Sequence, residues 1–501
     1  MFINVDRKTK EGNGPAAMGL RRTAALVLTG AMMFSMTGCK GDMITYDDYT
    51  PEAYAESSLT QVGSTLSTES YVGEEAVVEE ALEVYKSEDG RCIIEKKPSY
   101  YEIYLDNTDG DYYASGSAYA ETIKKIDLEY AELLEPYLYE NIKMAFPNLN
   151  GDYSPVSERI DKLLINVPEE YRDEMEGFAT TMSDGKKGFK EDGILSYEEA
   201  ILMQMVPDCL RGTNCNALSV WGDKTVSGDR IVSRTLEWTL GSENQMCLGQ
   251  AVCHFKMPEG KNSYTTFAVM GMLDVITGVN ETGVFAGILD VGSGDDYVCD
   301  GKKCYTYELR YALENMDDAR SVGEYMVSES KNFTFSHNII ITDKDNSFVA
   351  EDCVQDETVA SLKVGQENSP EDKIIYGHSV LRDGNTPLMD GLTWDNPDSL
   401  CVINSFMTEG NADIFTGEGH NYVRFAKFNA WVGEKDKLTM ADVKDIVTRE
   451  TEDKESRYQK IHSENVYQTI IYDYGTGELD ACFTQTEGVV NHPQYIRIKL
   501  D

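Results

Sequence analysis

Cys215 lies just before a predicted β-hairpin, a position in which a cysteine can act as a nucleophile. It precedes two strand-like segments, residues 217–221 and 230–238, which the turn Ser227-Gly228-Asp229 joins into a hairpin. A thiol has a pKa of about 8.5 and a free α-amine a pKa of about 7.7 to 8.0. If the peptide bond before Cys215 is broken, one residue therefore supplies both an attacking sulfur and a base. The alternative is a cysteine paired in a disulfide on a surface hairpin.

The returning strand of this hairpin carries two charged residues that suit such a nucleophile. Arg234 would place a guanidinium beside the thiol, where its charge favours the thiolate. Glu237 would accept a hydrogen bond from an ammonium group on Cys215. Because an amide nitrogen is not basic, the thiol must first attack the carbonyl of Asn214 and shift the acyl group from nitrogen to sulfur. We therefore expect the chain to cleave itself between Asn214 and Cys215.

Beyond Cys215 the hydrophobic pattern alternates between strands and helices. The predicted strands span residues 266–274, 283–291, 338–342, 347–352, 400–406, 466–473 and 478–484. The predicted helices span residues 307–327, 421–431 and 439–449. Consecutive hairpins with helices between them favour a mixed α+β fold, in which antiparallel sheets are covered by helices.

The N-terminus predicts export. Basic residues precede an apolar run over residues 24–34, which has the length of a signal-peptide core and is too short to cross a bilayer. The run ends in Met36-Thr37-Gly38-Cys39, which resembles the lipobox of bacterial lipoproteins, where the cysteine is lipidated. We expect residues 1–38 to be a signal peptide and Cys39 to anchor the protein to the bacterial membrane, outside the cytoplasm. An ordinary secretory signal cut nearby is the alternative.

The stretch between the anchor and Cys215 is predicted to have two parts. Residues 39–88 are rich in Tyr, Ser, Thr and Glu and are expected to form a flexible acidic tether, with a short helix possible at residues 77–84. Residues 89–214 are expected to form a helical prosegment. Its helical spacing is clearest in residues 118–144, 156–164 and 169–182 and after Ser196. Residues 215–501 would then be the catalytic domain.

Composition limits the partners and cofactors. A net charge of -42 repels polyanions, which excludes nucleic acid as a partner. Eleven cysteines in an exported protein suggest disulfides, and Cys247 with Cys253 and Cys299 with Cys304 are close enough in sequence to pair. No metal site is expected, because the sequence has no CxxC pair and no HExxH, and residues 188–199 lack carboxylates that a calcium loop needs.

The segment from Gly212 to Trp238 resembles the start of the mature subunit in the penicillin acyltransferase-like and choloylglycine hydrolase-like families of N-terminal-nucleophile hydrolases. In those families a cysteine opens a strand, and the returning strand carries a string like Arg-Asn-Leu-Asp-Trp, which reads Arg-Thr-Leu-Glu-Trp here. Residues 168–199, with Pro168-Glu169-Glu170 and Leu195-Ser196-Tyr197-Glu198-Glu199, are similar to the prosegment of the acyltransferase branch. The resemblance covers residues 100–485.

The resemblance implies further site residues. Gly278-Val279-Asn280-Glu281-Thr282-Gly283-Val284 is similar to a family hairpin whose next strand presents an oxyanion-hole position, and Asp290 falls there. An ionised aspartate cannot donate, so only its backbone N–H could serve. Val402-Ile403-Asn404-Ser405-Phe406 resembles the strand end that supplies a catalytic asparagine, so the amide of Asn404 would donate to the oxyanion. Arg424 matches a family arginine, with Asn421 as an alternative counterpart.

The same resemblance implies a fold and an activity. The fold would be a four-layer αββα sandwich of mainly antiparallel sheets, and the protein an exported, self-cleaving cysteine amidohydrolase or acyltransferase that needs no cofactor. Its substrate would be a small-molecule linear amide, with acylated amino acids or peptides, penicillin-like amides and bile-salt or fatty amides all left open. A non-catalytic binding lipoprotein and a bile-salt or ceramide-like lipid amidase are the alternatives. Oligomeric state stays open.

Overall fold

The computed structural model describes residues 75–210, 213–291, 297–354, 358–360, 373–375, 378–389, 392–409, 411, 419–449, 460–490 and 492–500. The described residues lie in one compact unit. The predicted signal peptide, Cys39 and most of the predicted tether lie outside the described residues. Among those that are described, no helix is both long enough and apolar enough to cross a bilayer.

The larger sheet has ten strands. They are Glu83–Lys86 (β1), Cys92–Lys96 (β2), Tyr101–Asp106 (β3), Gln250–Lys256 (β6), Tyr264–Val269 (β7), Thr277–Asn280 (β8), Phe285–Asp290 (β9), His337–Thr342 (β10), Ser347–Asp352 (β11) and Val380–Arg382 (β14). Their order in the sheet is β1-β2-β3-β6-β7-β8-β9-β10-β11-β14. Every neighbouring pair is antiparallel except β3 and β6, which are parallel.

The smaller sheet has six strands, all antiparallel to their neighbours. They are Thr213–Val220 (β4), Ile231–Trp238 (β5), Ser399–Val402 (β15), Val466–Asp473 (β16), Glu478–Phe483 (β17) and Ile496–Ile498 (β18), in the order β15-β4-β5-β16-β17-β18. Thr358–Ala360 (β12) and Lys373–Ile375 (β13) form a separate antiparallel pair. The predicted hairpin after Cys215 is therefore the β4–β5 pair at the centre of this sheet.

The described part of the chain has ten α-helices. They are Tyr112–Ile123 (α1), Tyr130–Ala145 (α2), Ser154–Leu164 (α3), Glu169–Ser183 (α4), Tyr197–Met203 (α5), Val206–Leu210 (α6), Tyr305–Asn315 (α7), Ala319–Glu329 (α8), Gly419–Gly433 (α9) and Met440–Thr448 (α10). Helix α8 packs on β10, β11 and β14 of the larger sheet, and α10 packs on β5 and β16 of the smaller sheet.

The inner faces of the two sheets meet. The hydroxyl of Ser219 in β4 lies 2.7 Å from that of Ser347 in β11, and Arg234 in β5 donates to the carbonyl of Ile288 in β9 at 2.6 Å. With helices on the outer face of each sheet, the expected four-layer αββα sandwich of mainly antiparallel sheets is confirmed.

The N-terminal part is less helical than the sequence pattern indicated. Residues assigned to the tether and the start of the helical prosegment form β1, β2 and β3, which extend the larger sheet. Val77, in the stretch where a helix was possible, instead pairs with Ile496 of β18. The partner of β3 is β6, which lies far along the chain. A local hydrophobic pattern carries no information about such a distant pairing, and tertiary contacts decide short segments of this kind.

Two predicted helices are broken in the structure. The segment 118–144 divides between α1 and α2, and the segment 307–327 divides between α7 and α8. The second break has a local cause, because the side chain of Asp318 accepts a hydrogen bond from the N–H of Ser321 and caps the start of α8. An aspartate inside a helical pattern therefore begins a second helix here.

Two buried carboxylates surround the N-terminus of α7. Asp208 in α6 accepts hydrogen bonds from the N–H of Tyr305 at 2.7 Å and from the hydroxyl of Thr306 at 2.6 Å. Asp274 is fully buried, and neither of its carboxylate oxygens has a hydrogen-bond partner of good geometry among the described residues. Burial raises the pKa of Asp274 to about 7. Burial likewise raises the pKa of Asp208 far above its usual range.

We expect Asp274→Asn to stabilise the fold above pH 7. Between its ordinary pKa of 3.8 and its folded pKa of about 7, the carboxyl of Asp274 is protonated in the folded protein and ionised in the unfolded chain. The free energy of unfolding therefore falls as pH rises through this window and stays low above it. Three pKa units correspond to about 4 kcal/mol as an upper bound.

Thermal unfolding at pH 4 and pH 8 measures this effect. The variant should unfold at a higher temperature than the wild type at pH 8 and at nearly the same temperature at pH 4. A variant that is less stable than the wild type at pH 8 would show that the carboxylate has a stabilising partner.

Candidate active site

Cys215 lies in β4 on the face that looks toward the larger sheet. In the β4–β5 register Cys215 is opposite Leu236 and Ala217 is opposite Arg234. Because alternate residues of a strand share a face, Cys215 and Arg234 point into the same space between the two sheets. The side chain of Cys215 is fully buried there, with 0% of its surface exposed.

Arg234 contacts the thiol directly. Its Nη2 lies 3.3 Å from Sγ of Cys215. Its Nε and Nη1 are buried without a partner among the described residues. Gly287 in β9 makes room for this side chain, since a Cβ at that position would lie 2.7 Å from Cγ of Arg234. A buried cation with unsatisfied donors is costly, so its position beside a thiol fits a site where an anion forms.

The thiol carries its proton in the uncleaved chain. Burial raises the pKa of Cys215, and the positive charge of Arg234 acts in the opposite direction without cancelling the effect of burial. Burial also lowers the pKa of Arg234. The thiolate is the reactive form of a cysteine, so the thiol of Cys215 is in its less reactive form in this structure.

Asn404 holds the backbone nitrogen of Cys215. The N–H of Cys215 donates to Oδ1 of Asn404 at 2.6 Å, and Nδ2 of Asn404 donates to the carbonyl of Asp290 at 2.7 Å. The amide of Asn404 therefore presents its oxygen, and not its NH₂ group, to Cys215, and the expected role of Asn404 as an oxyanion donor stays a prediction. Asn404 follows β15, and Asn338 fixes this turn by donating to the carbonyls of residues 403 and 405.

Asp290 is the last residue of β9 and lies opposite His337 in β10. The structure places it beside Asn404, and the group that faces Asn404 is the backbone carbonyl of Asp290. Its Oδ1 lies 3.4 Å from the hydroxyl of Tyr305. An oxyanion role for its backbone N–H stays a prediction.

Arg424 joins three parts of the site. On helix α9, its Nη1 donates to Oδ1 of Asn404 at 3.1 Å and to Oδ1 of Asn421 at 3.3 Å. Its Nη2 donates to the carbonyl of Cys215 at 2.9 Å and to Oε2 of Glu237 at 2.7 Å. All of these groups are buried. A planar guanidinium can bind several acceptors at once because its N–H donors are fixed in direction.

Glu237 lies on the other face of β5 from Arg234. Its carboxylate accepts from Arg424 and from the hydroxyl of Ser463. The sequence predicts that Glu237 accepts a hydrogen bond from an ammonium group on Cys215. In the structure the carboxylate of Glu237 instead binds Arg424, which in turn donates to the carbonyl of Cys215.

The sequence did not predict that three residues belong to the site. Ser463 lies between predicted elements, Asn338 begins a predicted strand, and Gly287 is one of the 41 glycines of the chain. The only local indication that Asn338 has a role is that it is a polar residue next to the three isoleucines of its strand. Asn421, which the sequence offered as the alternative to Arg424, also belongs to the site. It donates to the carbonyl of Asn404 at 3.2 Å.

The described residues contain no group of three or more His, Cys, Asp or Glu arranged to hold a metal ion. The cysteines that sequence spacing left open for pairing, Cys247, Cys253, Cys299 and Cys304, all have free thiols. A cavity of about 650 Å³ opens beside α9 and is lined in part by Lys224, which is largely buried. Neither Cys215 nor its contacts Arg234, Asn404 and Arg424 line this cavity.

Comparisons with known proteins give structural similarity only. No family model matches the chain, and no curated protein matches it in sequence. A Caenorhabditis elegans ortholog of N-acylethanolamine-hydrolyzing acid amidase is similar with a TM-score of 0.33 at 12% identity, over 52% of this chain and 93% of that chain. A variant of the conjugated bile acid hydrolase of Clostridium perfringens is similar with a TM-score of 0.32 at 13% identity, over 57% and 97%.

Penicillin V acylase from Agrobacterium tumefaciens is similar with a TM-score of 0.30 at 12% identity, over 57% of this chain and 86% of that chain. Similarity at this level does not identify a substrate or a reaction. What the site can do therefore follows from its own atoms.

Proposed function

We propose that this chain is the precursor of a cysteine amidohydrolase or acyltransferase that cuts its own Asn214–Cys215 bond and then cleaves a linear amide through an acyl thioester on Cys215. One observation carries the proposal. The thiol, the backbone nitrogen and the carbonyl of Cys215 are each held by a different side chain, respectively Arg234, Asn404 and Arg424. Any buried backbone N–H and carbonyl needs a partner, but a cysteine with only a packing role does not need a buried guanidinium against its sulfur.

Self-cleavage begins when Sγ of Cys215 attacks the carbonyl carbon of Asn214. The S–C bond forms, the C–N bond breaks, and the proton of the thiol passes to the nitrogen of Cys215, which becomes an amine. Water then hydrolyses the thioester, which leaves a carboxylate on Asn214 and a free thiol on Cys215. The contacts of Asn404 and Arg424 support this step, because they hold the backbone of Cys215 while the sulfur approaches the carbon.

The cut chain then has a more reactive nucleophile. The new amine can accept the thiol proton, and Arg234 stabilises the resulting thiolate. The thiolate attacks a substrate amide, the amine portion leaves with a proton, and water or a second amine releases the acyl group. Since Cys215 is fully buried in the uncleaved chain, a substrate reaches it only after the residues before it have moved.

A panel of amides tests the activity. N-acylethanolamines, conjugated bile acids, penicillin V and acylated amino acids represent the candidate classes, and release of the free amine is the readout. Turnover of any of these amides by the wild type, and not by Cys215→Ala, supports an amidohydrolase. An intact Asn214–Cys215 bond with no turnover would instead support a binding protein on the same fold.

We expect the two fragments to stay together after cleavage. Strand β3 of the N-terminal fragment is paired with β6 of the C-terminal fragment, and the buried Glu174 and Arg310 form an ion pair across the same boundary at 2.5 Å. Breaking these contacts would expose a sheet edge and separate the Glu174 carboxylate from its cation, whereas Arg310 would keep its pair with Glu314. Size-exclusion chromatography in native buffer should show both fragments in one peak, which denaturant together with a reductant separates. A heavy fragment that elutes alone in native buffer would contradict this expectation.

We also propose that the protein is exported and anchored through lipid at Cys39. The apolar run and the lipobox-like tetrapeptide support this proposal. In a bacterial host, Cys39→Ala should lose incorporation of a labelled fatty acid and move from the membrane fraction to the soluble fraction. A wild-type protein without the label would refute the anchor.

A further inference from the structure

Three cysteines lie where the end of the N-terminal fragment meets the residues that lead into α7. Cys209 is in α6, just before the proposed cleavage point, and Cys299 and Cys304 precede α7. The carboxylate of Asp208 accepts from the N–H of Tyr305 at 2.7 Å, so the neighbours of Cys209 and Cys304 are in direct contact. The cysteine cluster, Cys209, Cys299 and Cys304, therefore spans the boundary between the two fragments.

Further contacts hold the backbone of Cys209 against the 297–305 segment. The hydroxyl of Tyr297 donates to the carbonyl of Asp208 at 3.1 Å. Arg159 donates to the carbonyl of Cys209 at 2.6 Å, and its guanidinium lies 3.7 Å from the ring centroid of Tyr297. Tyr297 precedes Cys299 by two residues, so these contacts hold the backbone next to Cys299 against that of Cys209.

Exposure separates the three thiols. Cys209 and Cys304 are buried, whereas Cys299 is half-buried. Burial raises the pKa of the Cys209 thiol, and the nearby Cys299 and Asp208 add to the rise. A thiol must be reached by an oxidant before it can be oxidised, so Cys299 is the point of entry and a buried neighbour completes the reaction.

We propose that Cys209 and Cys299 form a disulfide in the mature protein, which links the two fragments covalently after the cut before Cys215. This rests on the proposed function, because the bond joins two chains only when self-cleavage has occurred. Cys304 is as deeply buried as Cys209, but it is held at the N-cap of α7. Cys209 and Cys299 instead both lie near Arg159, whose pKa each of them raises against the larger effect of burial. The last residues of the N-terminal fragment would then stay beside α7.

The oxidant is a small or protein disulfide, such as oxidised glutathione. The thiolate of Cys299 attacks one of its sulfurs, a mixed disulfide forms, and one thiol of the oxidant is released. Cys209 loses its proton and attacks the sulfur of Cys299, which releases the second thiol. Two protein thiols are oxidised, one disulfide of the oxidant is reduced, and the two protons pass to the released thiols.

The test uses the purified full chain in two buffers, one with excess phosphine reductant and one with oxidised and reduced glutathione. Free thiols are blocked with N-ethylmaleimide under denaturing conditions, and intact masses are measured. In the reductant the fragments should separate. In the glutathione buffer they should appear as one covalent species. After subtraction of the N-ethylmaleimide groups on the remaining thiols, it should be lighter by two hydrogens than the sum of the fragments, and it should yield a cross-linked peptide that joins Cys209 to Cys299.

Three variants identify the pair. Cys209→Ala and Cys299→Ala should each give separate fragments in both buffers, and Cys304→Ala, the matched control, should remain linked in the glutathione buffer. Free thiols throughout the wild type in glutathione buffer would overturn the proposal, as would a cross-linked peptide that contains Cys304.

If the chain is not cleaved at all, the cross-linked peptide of Cys209 and Cys299 still supports the bond while the proposed function fails. Peptide mapping of the wild type needs no variant. It therefore tests the Cys209–Cys299 disulfide even if Cys209→Ala folds poorly.

Discussion

Cys215→Ala is expected to leave the Asn214–Cys215 bond intact and to reduce amide hydrolysis at least about 1000-fold, since both reactions use the same sulfur. Alanine removes the attacking atom and its contact with Arg234 while the hydrogen bonds of the backbone to Asn404 and Arg424 can persist. The fold should therefore survive. Electrophoresis of the purified variant and the amide panel measure the two effects.

Cys401→Ala is the matched control for this substitution. Cys401 is a buried cysteine in β15, the strand that pairs with β4, and it lies opposite Leu218. The control variant should be cleaved like the wild type. A Cys215→Ala chain that is still cut would show that another group performs the reaction. If neither variant is cleaved, the cause is loss of packing in the smaller sheet and not loss of the nucleophile.

Arg424→Met is expected to destabilise the protein by about 3 to 5 kcal/mol, because it leaves the buried carboxylate of Glu237 without its cation. The same substitution removes the donors to the carbonyl of Cys215 and to Asn404. Loss of this positioning should slow self-cleavage about 100-fold. Denaturant unfolding measures the first effect, and the time course of fragment appearance measures the second.

A double-mutant cycle separates charge from packing in this prediction. Arg424→Met combined with Glu237→Gln removes both charges. The double variant should therefore lose less free energy of unfolding than the two single variants lose when their losses are added. Lys143→Met provides a surface comparison, because the Lys143–Glu191 pair is more than half exposed and its loss should cost less than about 1 kcal/mol. An Arg424→Met variant as stable as Lys143→Met would contradict the role given to the buried pair.

The sequence was sufficient to place the main residues of the site together. Cys215 and Arg234 follow from a strand, a glycine turn and a returning strand, in which register alone puts both side chains on one face. Asn404 and Arg424 were found because their short motifs occur in the expected order along the chain. The four-layer fold followed from the same order of hairpins and helices.

Other features depended on contacts that no local pattern contains. The amide of Asn404 is oriented by the carbonyl of Asp290 and the guanidinium of Arg424, so its direction is decided by groups from two distant elements. Glu237 is bound by Arg424 and Ser463 for the same reason. Strand β3 pairs with β6, although a long stretch of helices separates them in the sequence. The residues of neither strand predict which strand it pairs with.

The most direct test of self-cleavage is the intact mass of the purified wild-type protein under reducing and denaturing conditions. We predict two fragments, a light one that ends at Asn214 and a heavy one that begins at Cys215 with a free amine. A single unbroken polypeptide, or a heavy fragment that begins at any other residue, would contradict a nucleophile created by cutting the chain before Cys215.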